Sequence, residues 1–118
     1  MKDVIISIKN LRNLGGYKVI LSEPYQVRID RASILGNPFR MFNESQRDLV
    51  CDQYRDYFYN QIKTNKAFFE ELLRLYDIAI KYSKLELYCW CAPKRCHGET
   101  IKEFIETTII ENSYEEEE

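Results

Sequence analysis

Two short stretches, far apart in the chain, hold most of the side chains able to bind or transform a ligand. The first runs Arg28-Ile29-Asp30-Arg31-Ala32-Ser33-Ile34-Leu35-Gly36-Asn37-Pro38-Phe39-Arg40. Three arginines bracket a tight turn there, and a guanidinium fork matches the geometry of phosphate and carboxylate oxygens. Gly36 lets the backbone come close to a ligand. The second runs Cys89-Trp90-Cys91-Ala92-Pro93-Lys94-Arg95-Cys96-His97-Gly98 and contains the only histidine of the chain. It leaves a strand and enters a helix. Ligands of open α/β sheets bind outside the carboxyl ends of strands. A helix start also offers unpaired N–H groups and a favourable dipole to an anion. The ligand-binding candidates are therefore Arg31, Ser33, Gly36, Asn37, Pro38, Lys94, Arg95, Cys96 and Gly98, with Arg28 and Arg40 adding charge nearby. His97 and Asp30 are the candidates for general acid–base work.

The cysteines leave several chemistries open. Cys89, Cys91, Cys96 and His97 are four potential zinc ligands, but structural zinc sites mostly use pairs separated by two to four residues. Here one pair is separated by a single residue and the other is adjacent. Buried structural thiols are a second reading. A nucleophilic Cys96, its pKa lowered at a helix start, is a third. Tyr54 and Trp90 suit either core packing or stacking on a base. No cofactor is expected.

The elements that position these loops can be read from patterning. Val4–Ile8 is a β-branched apolar run, and Asn13-Leu14-Gly15-Gly16 is a turn signal. Tyr17–Leu21 and Tyr25–Ile29 are expected as further strands, and Arg31–Phe39 as a loop. From Gln46 the positions Val50, Tyr54, Tyr57, Phe58 and Ile62 recur at helical spacing. Thr64-Asn65 breaks that pattern. A second helix is expected from Lys66 to Lys81, with Phe69, Leu72, Leu73, Tyr76 and Ile80 on its apolar stripe. Leu85–Cys91, apolar on both faces, reads as a central strand. A last helix opens near Cys96–Glu99 and runs to about Ile110. This order predicts an α/β fold: a small, mostly parallel, Rossmann-like sheet with helices on its faces. Residues 1–112 form one domain, and 113–118 a flexible acidic tail.

Composition bounds the function. At 118 residues and 45% apolar, the chain has material for one packed core. A net charge of −2 gives no general attraction to nucleic acid, whose binding is disfavoured. No segment reaches the ~18 apolar residues of a membrane span. Met1–Ile6 reads as a strand, not a signal peptide. The cysteines are expected to be reduced and the protein cytoplasmic.

The motifs Arg31-Ala32-Ser33-Ile34-Leu35-Gly36-Asn37-Pro38-Phe39, Gln46-Arg47 with Tyr54, and Leu87-Tyr88-Cys89-Trp90-Cys91-Ala92-Pro93 with Cys96-His97-Gly98 resemble the family called domain of unknown function 4326. The resemblance covers about Val27 to Glu106 and implies bacterial or phage origin, with host cytoplasm as the setting for a phage protein. The layout is similar to Rossmann-like nucleotide-binding groups, among them lysine-decarboxylase-like phosphoribohydrolases and deoxyribosyltransferases. The chain lacks the PGGxGT-like loop of the phosphoribohydrolases, and it has Asp30 where many family members have glycine.

The expected function is binding of a phosphate-bearing small molecule, a nucleotide or nucleoside derivative, with hydrolase or glycosidic-bond chemistry. One alternative is a non-enzymatic bacterial or phage protein that captures a host protein or signalling molecule. The other is a small zinc-binding protein.

Overall fold

A computed structural model describes residues 3–16 and 18–117, with side chains described to residue 112. Three strands, β1 (Ile5–Asn10), β2 (Gln26–Arg28) and β3 (Lys84–Cys89), form one sheet in the order β1-β3-β2. Both pairings are parallel, Ile5 standing opposite Lys84 and Val27 opposite Leu87. β3 is central, as its two-sided apolar pattern predicts: Leu85, Glu86, Leu87, Tyr88 and Cys89 are all buried.

Three helices complete the fold: α1 (Arg47–Thr64), α2 (Lys66–Tyr82) and α3 (Gly98–Glu117). Asn65 separates α1 from α2, and its side chain accepts the Phe68 N–H at 3.2 Å, capping α2. The helices contact one another and pack with Ile6, Val27, Ile29, Leu85, Leu87 and Cys89 into one core. Each fully buried leucine there is worth about 1.5–3 kcal/mol relative to exposure.

The expected small parallel α/β sheet is present, and its helices gather on a single face. The other face carries a polar network. Lys9 and Lys84 pair with the buried Glu86 at 2.9 and 3.3 Å, and the Tyr88 hydroxyl donates to it at 2.8 Å. Burial pushes the Glu86 carboxyl up, but these partners outweigh it and hold its pKa at about 2.

Two readings of the pattern are corrected. Over Lys18–Leu21 no strand forms: Gly15 and Gly16 turn the chain with φ of +113° and +91°, and Ile20 lies 90% exposed. Tyr17 lies outside the described residues. The stripe of α2 is also rotated, with Phe68, Leu72, Leu75 and Ala79 buried and Leu73 exposed. α3 runs beyond the expected Ile110, and the side chains of the acidic segment 113–118 lie outside those described.

Candidate functional site

The loop after β2 and the loop after β3 line one cavity of about 470 Å³ at the carboxyl ends of the strands. Asp30, Arg31 and Asn37 come to it from the first loop, and Cys89, Trp90, Arg95, Cys96 and His97 from the second. Its size suits a small organic ligand.

The first loop is a tightly built turn. Ser33 Oγ accepts the Leu35 N–H at 3.0 Å, and Asn37 Oδ1 accepts the Phe39 N–H at 2.9 Å. A Cβ on Gly36 would stand 2.5 Å from the Asp30 carbonyl oxygen and 2.7 Å from the Arg31 Cα. Gly36 therefore lets the loop close on its own backbone, not on a ligand. Tyr54, fully buried, donates its hydroxyl to the Leu35 carbonyl at 2.7 Å and fastens the turn to α1. Ser33, Gly36 and Pro38 do not line the cavity.

Asp30 is buried and fixed. Arg28 Nε donates to it at 3.1 Å and Trp90 Nε1 at 2.9 Å. Burial raises the Asp30 carboxyl, and the hydrogen bonds from Arg28 and Trp90 more than reverse the shift, so its pKa is lowered. A carboxylate held this way positions neighbouring groups and is a poor general acid at neutral pH. Trp90 thus serves as a hydrogen-bond donor at the cavity wall, whereas Tyr54 belongs to the core.

The second loop is rich in cations whose charge is already matched. Lys94 pairs with Glu44 at 3.2 Å and does not line the cavity. Arg95 pairs with Asp48 and Asp52, each at 2.9 Å, and with Glu99 at 3.4 Å. The start of α3 is likewise occupied. Gly98 N–H donates to Cys96 Sγ at 3.3 Å, Glu99 N–H to the Cys96 carbonyl at 3.2 Å, and Thr100 N–H to the His97 carbonyl at 3.1 Å. The helix start at Cys96–Gly98, expected to hold phosphate, has spent these amides on its own cap. Gly98 is buried, and a Cβ there would meet Ile29 Cδ1 at 2.8 Å.

His97 lies against the Tyr54 ring at 4.9 Å between centroids, and its Nε2 bonds the Ile29 carbonyl at 2.5 Å. Burial lowers its pKa, so the ring is neutral near pH 7. Because a carbonyl can only accept, Nε2 carries the proton and Nδ1 keeps a lone pair. Nδ1 has no hydrogen-bond partner among the described residues, and the ring lies in the cavity wall.

All four cysteines line the cavity. Among the described residues, however, no three of His, Cys, Asp and Glu are placed to hold a metal ion. The set Cys89, Cys91, Cys96 and His97 is not assembled as a zinc cage.

One residue absent from the sequence-based candidates is Arg47. It lines the cavity, donates to the Arg95 carbonyl at 2.9 Å and pairs with Glu44 at 2.8 Å, joining α1 to the second loop. Phe39, Met41, Val50 and Cys51 also line the cavity without having been candidates. Val50 was read as part of a helical apolar stripe, and only the fold brings these residues to this wall.

The protein is thus an α/β domain with a thiol- and arginine-lined cavity between two loops at the carboxyl edge of a parallel sheet. The chain belongs to the family described as domain of unknown function (DUF4326), whose model matches residues 13–107. No curated protein and no solved structure matches it.

Proposed function

We propose that this domain binds a small molecule carrying an anionic group, a phosphate of a nucleotide or nucleoside derivative, in the cavity between the two loops. One observation carries the reading. Of the three arginines lining the cavity, Arg31 alone has no carboxylate partner among the described residues. Its Nε and Nη2 donate to the backbone carbonyls of Asn37 and Phe39, at 3.1 and 3.5 Å, which orients the guanidinium without neutralising it. Phe39 and Trp90 give the same cavity flat walls for a ring. His97 Nδ1 is the proton acceptor available for hydrolytic or glycosidic-bond chemistry.

The test is a thermal-shift panel of nucleotides, nucleosides and sugar phosphates. A ligand at one hundred times its Kd stabilises by about 2.7 kcal/mol, which moves the melting point by several degrees. Arg31→Ala should weaken binding roughly tenfold or more, since a charge-assisted hydrogen bond contributes about 1.5–3 kcal/mol. Lys94→Ala, outside the cavity, should leave it within about twofold, as expected of an exposed pair. A panel without any shift, or equal losses in both variants, overturns the reading.

A further inference from the structure

Cys89 ends β3 and Cys96 stands just before α3, so the second loop begins and ends at a thiol. The two sulfurs are 3.4 Å apart, with the Cys96 thiol donating to the Cys89 sulfur. Cys96 Sγ in turn accepts the Gly98 N–H. Both sulfurs are buried, and both belong to the cavity wall.

We propose that Cys89 and Cys96 form a redox-active dithiol, in which the Cys89 thiolate attacks a hydroperoxide entering the cavity and Cys96 resolves the product to an intrachain disulfide. In the first step the Cys89 sulfur bonds the near oxygen of hydrogen peroxide. The O–O bond breaks, hydroxide leaves, and Cys89 becomes a sulfenic acid. In the second step the Cys96 sulfur attacks the Cys89 sulfur. The S–S bond forms, the S–O bond breaks, and the Cys96 proton leaves with the departing hydroxyl as water. In sum, one thiolate, one thiol and one peroxide give a disulfide, one water and one hydroxide. The two sulfurs lose two electrons and the peroxide gains them. An added dithiol reductant reverses the change.

The roles follow from the donors around each sulfur. The Cys96 thiol stabilises negative charge on Cys89, so the Cys89 pKa is lowered in spite of burial. The same partnership pushes the Cys96 thiol up, which keeps its proton in place until the second step. Cys51 differs: burial raises its pKa, and no hydrogen bond to its sulfur offsets that.

The test is oxidation of the reduced, full-length chain with equimolar hydrogen peroxide, followed by mass spectrometry. The expected product is a monomer lighter by two hydrogen atoms and restored by dithiothreitol. Trypsin cuts after Lys94 and Arg95, separating the peptides of Cys89 and Cys96, and fragment spectra then distinguish Cys89 from Cys91 in the first. In C96S the reaction should stop at a sulfenic acid on Cys89, trapped by dimedone. In C89S, Cys96 should stay unlabelled. The wild-type map does not depend on either variant folding. A link through Cys51 or Cys91, a disulfide between chains, or native thiols no faster to react than those of the urea-unfolded chain overturns the proposal.

Discussion

The two loops that meet over the cavity have similar basic residues and are held in opposite ways. The loop after β2 is shaped by its own backbone and by packing. Ser33 and Asn37 cap its turns, Gly36 permits a close self-contact, and the Tyr54 hydroxyl pins it from beneath. The loop after β3 is held from outside by ion pairs. Lys94 reaches Glu44, Arg95 reaches Asp48, Asp52 and Glu99, and Arg47 grips the Arg95 carbonyl. Positive charge in a sequence is therefore not the same as positive charge available to a ligand. In the first loop, backbone bonds leave Arg31 without a countercharge. In the second, the carboxylates of Glu44, of Asp48 and Asp52 on α1 and of Glu99 on α3 cancel the cations before any ligand arrives.

Three perturbations sharpen the contrast. The largest effect is expected from Gly36→Ala, because backbone lies within 2.7 Å of the added carbon and cannot swing aside as a side chain could. Urea unfolding should register a loss of about 3 kcal/mol, at the upper end of overpacking costs. A cost below about 0.5 kcal/mol would mean that the first loop is not fixed by its backbone.

A smaller effect is expected at His97, which joins the two loops through the Ile29 carbonyl. Its pKa is lowered from an ordinary 6.5, so the unfolded chain binds the proton more readily than the folded one. Stability from this source is complete above about pH 6.5 and declines as pH falls through that value. Glu86 and Asp30 contribute in a lower range. Their pKa values are depressed from ordinary values of 4.5 and 3.8, so their stabilisation is present above those values and is lost further into acid. Urea midpoints between pH 7.5 and 5 should decline for the wild type. His97→Gln, which can still donate to Ile29, should lessen that slope without abolishing it, since the lowered pKa of the Cys89 thiol makes stability decline as pH falls over the same range. An unchanged slope in the variant would remove His97 as its source.

The smallest effect is expected from Asp52→Asn. It deletes one of the three carboxylates around Arg95, in a pair open to solvent. Exposed pairs of this kind contribute about 0–1 kcal/mol, and a change under about 0.5 kcal/mol is expected in the same unfolding assay. A loss above about 1 kcal/mol would show that the second loop is held as firmly as the first.

Much of the scaffold was legible in the sequence. β3 announced itself as central because it is apolar on both faces, and α1 because Val50, Tyr54 and Phe58 share one helical stripe. The loops were legible from glycine, proline and asparagine. The failures have separate causes. Lys18–Leu21 has strand-forming residues but no neighbour to pair with, and strand propensity expresses itself only within a sheet. In α2 the doublets Phe68-Phe69 and Leu72-Leu73 fit two helical phases, and contacts with α1 and β3 select one. At the cavity, sequence located Asp30, Arg31, Asn37, Arg95, Cys96 and His97 in the two loops. The pairing of Lys94 with Glu44, or of Arg95 with Asp52, is invisible until the chain folds. The same holds for the hydrogen bond between Cys96 and Cys89, since nothing in their spacing tells which of four thiols will touch.

The ion pairs around Arg95 carry one more consequence. They are exposed bonds between charges, and dissolved electrolyte shields such bonds over a Debye length of about 8 Å at physiological ionic strength. The buried part of the cavity wall, His97 with Cys51, Cys89 and Cys96, is shielded from added salt. The rim is not. Brine and dilute buffer therefore present the same recess with differently guarded entrances, and the ease of entry is set partly by the surrounding solution.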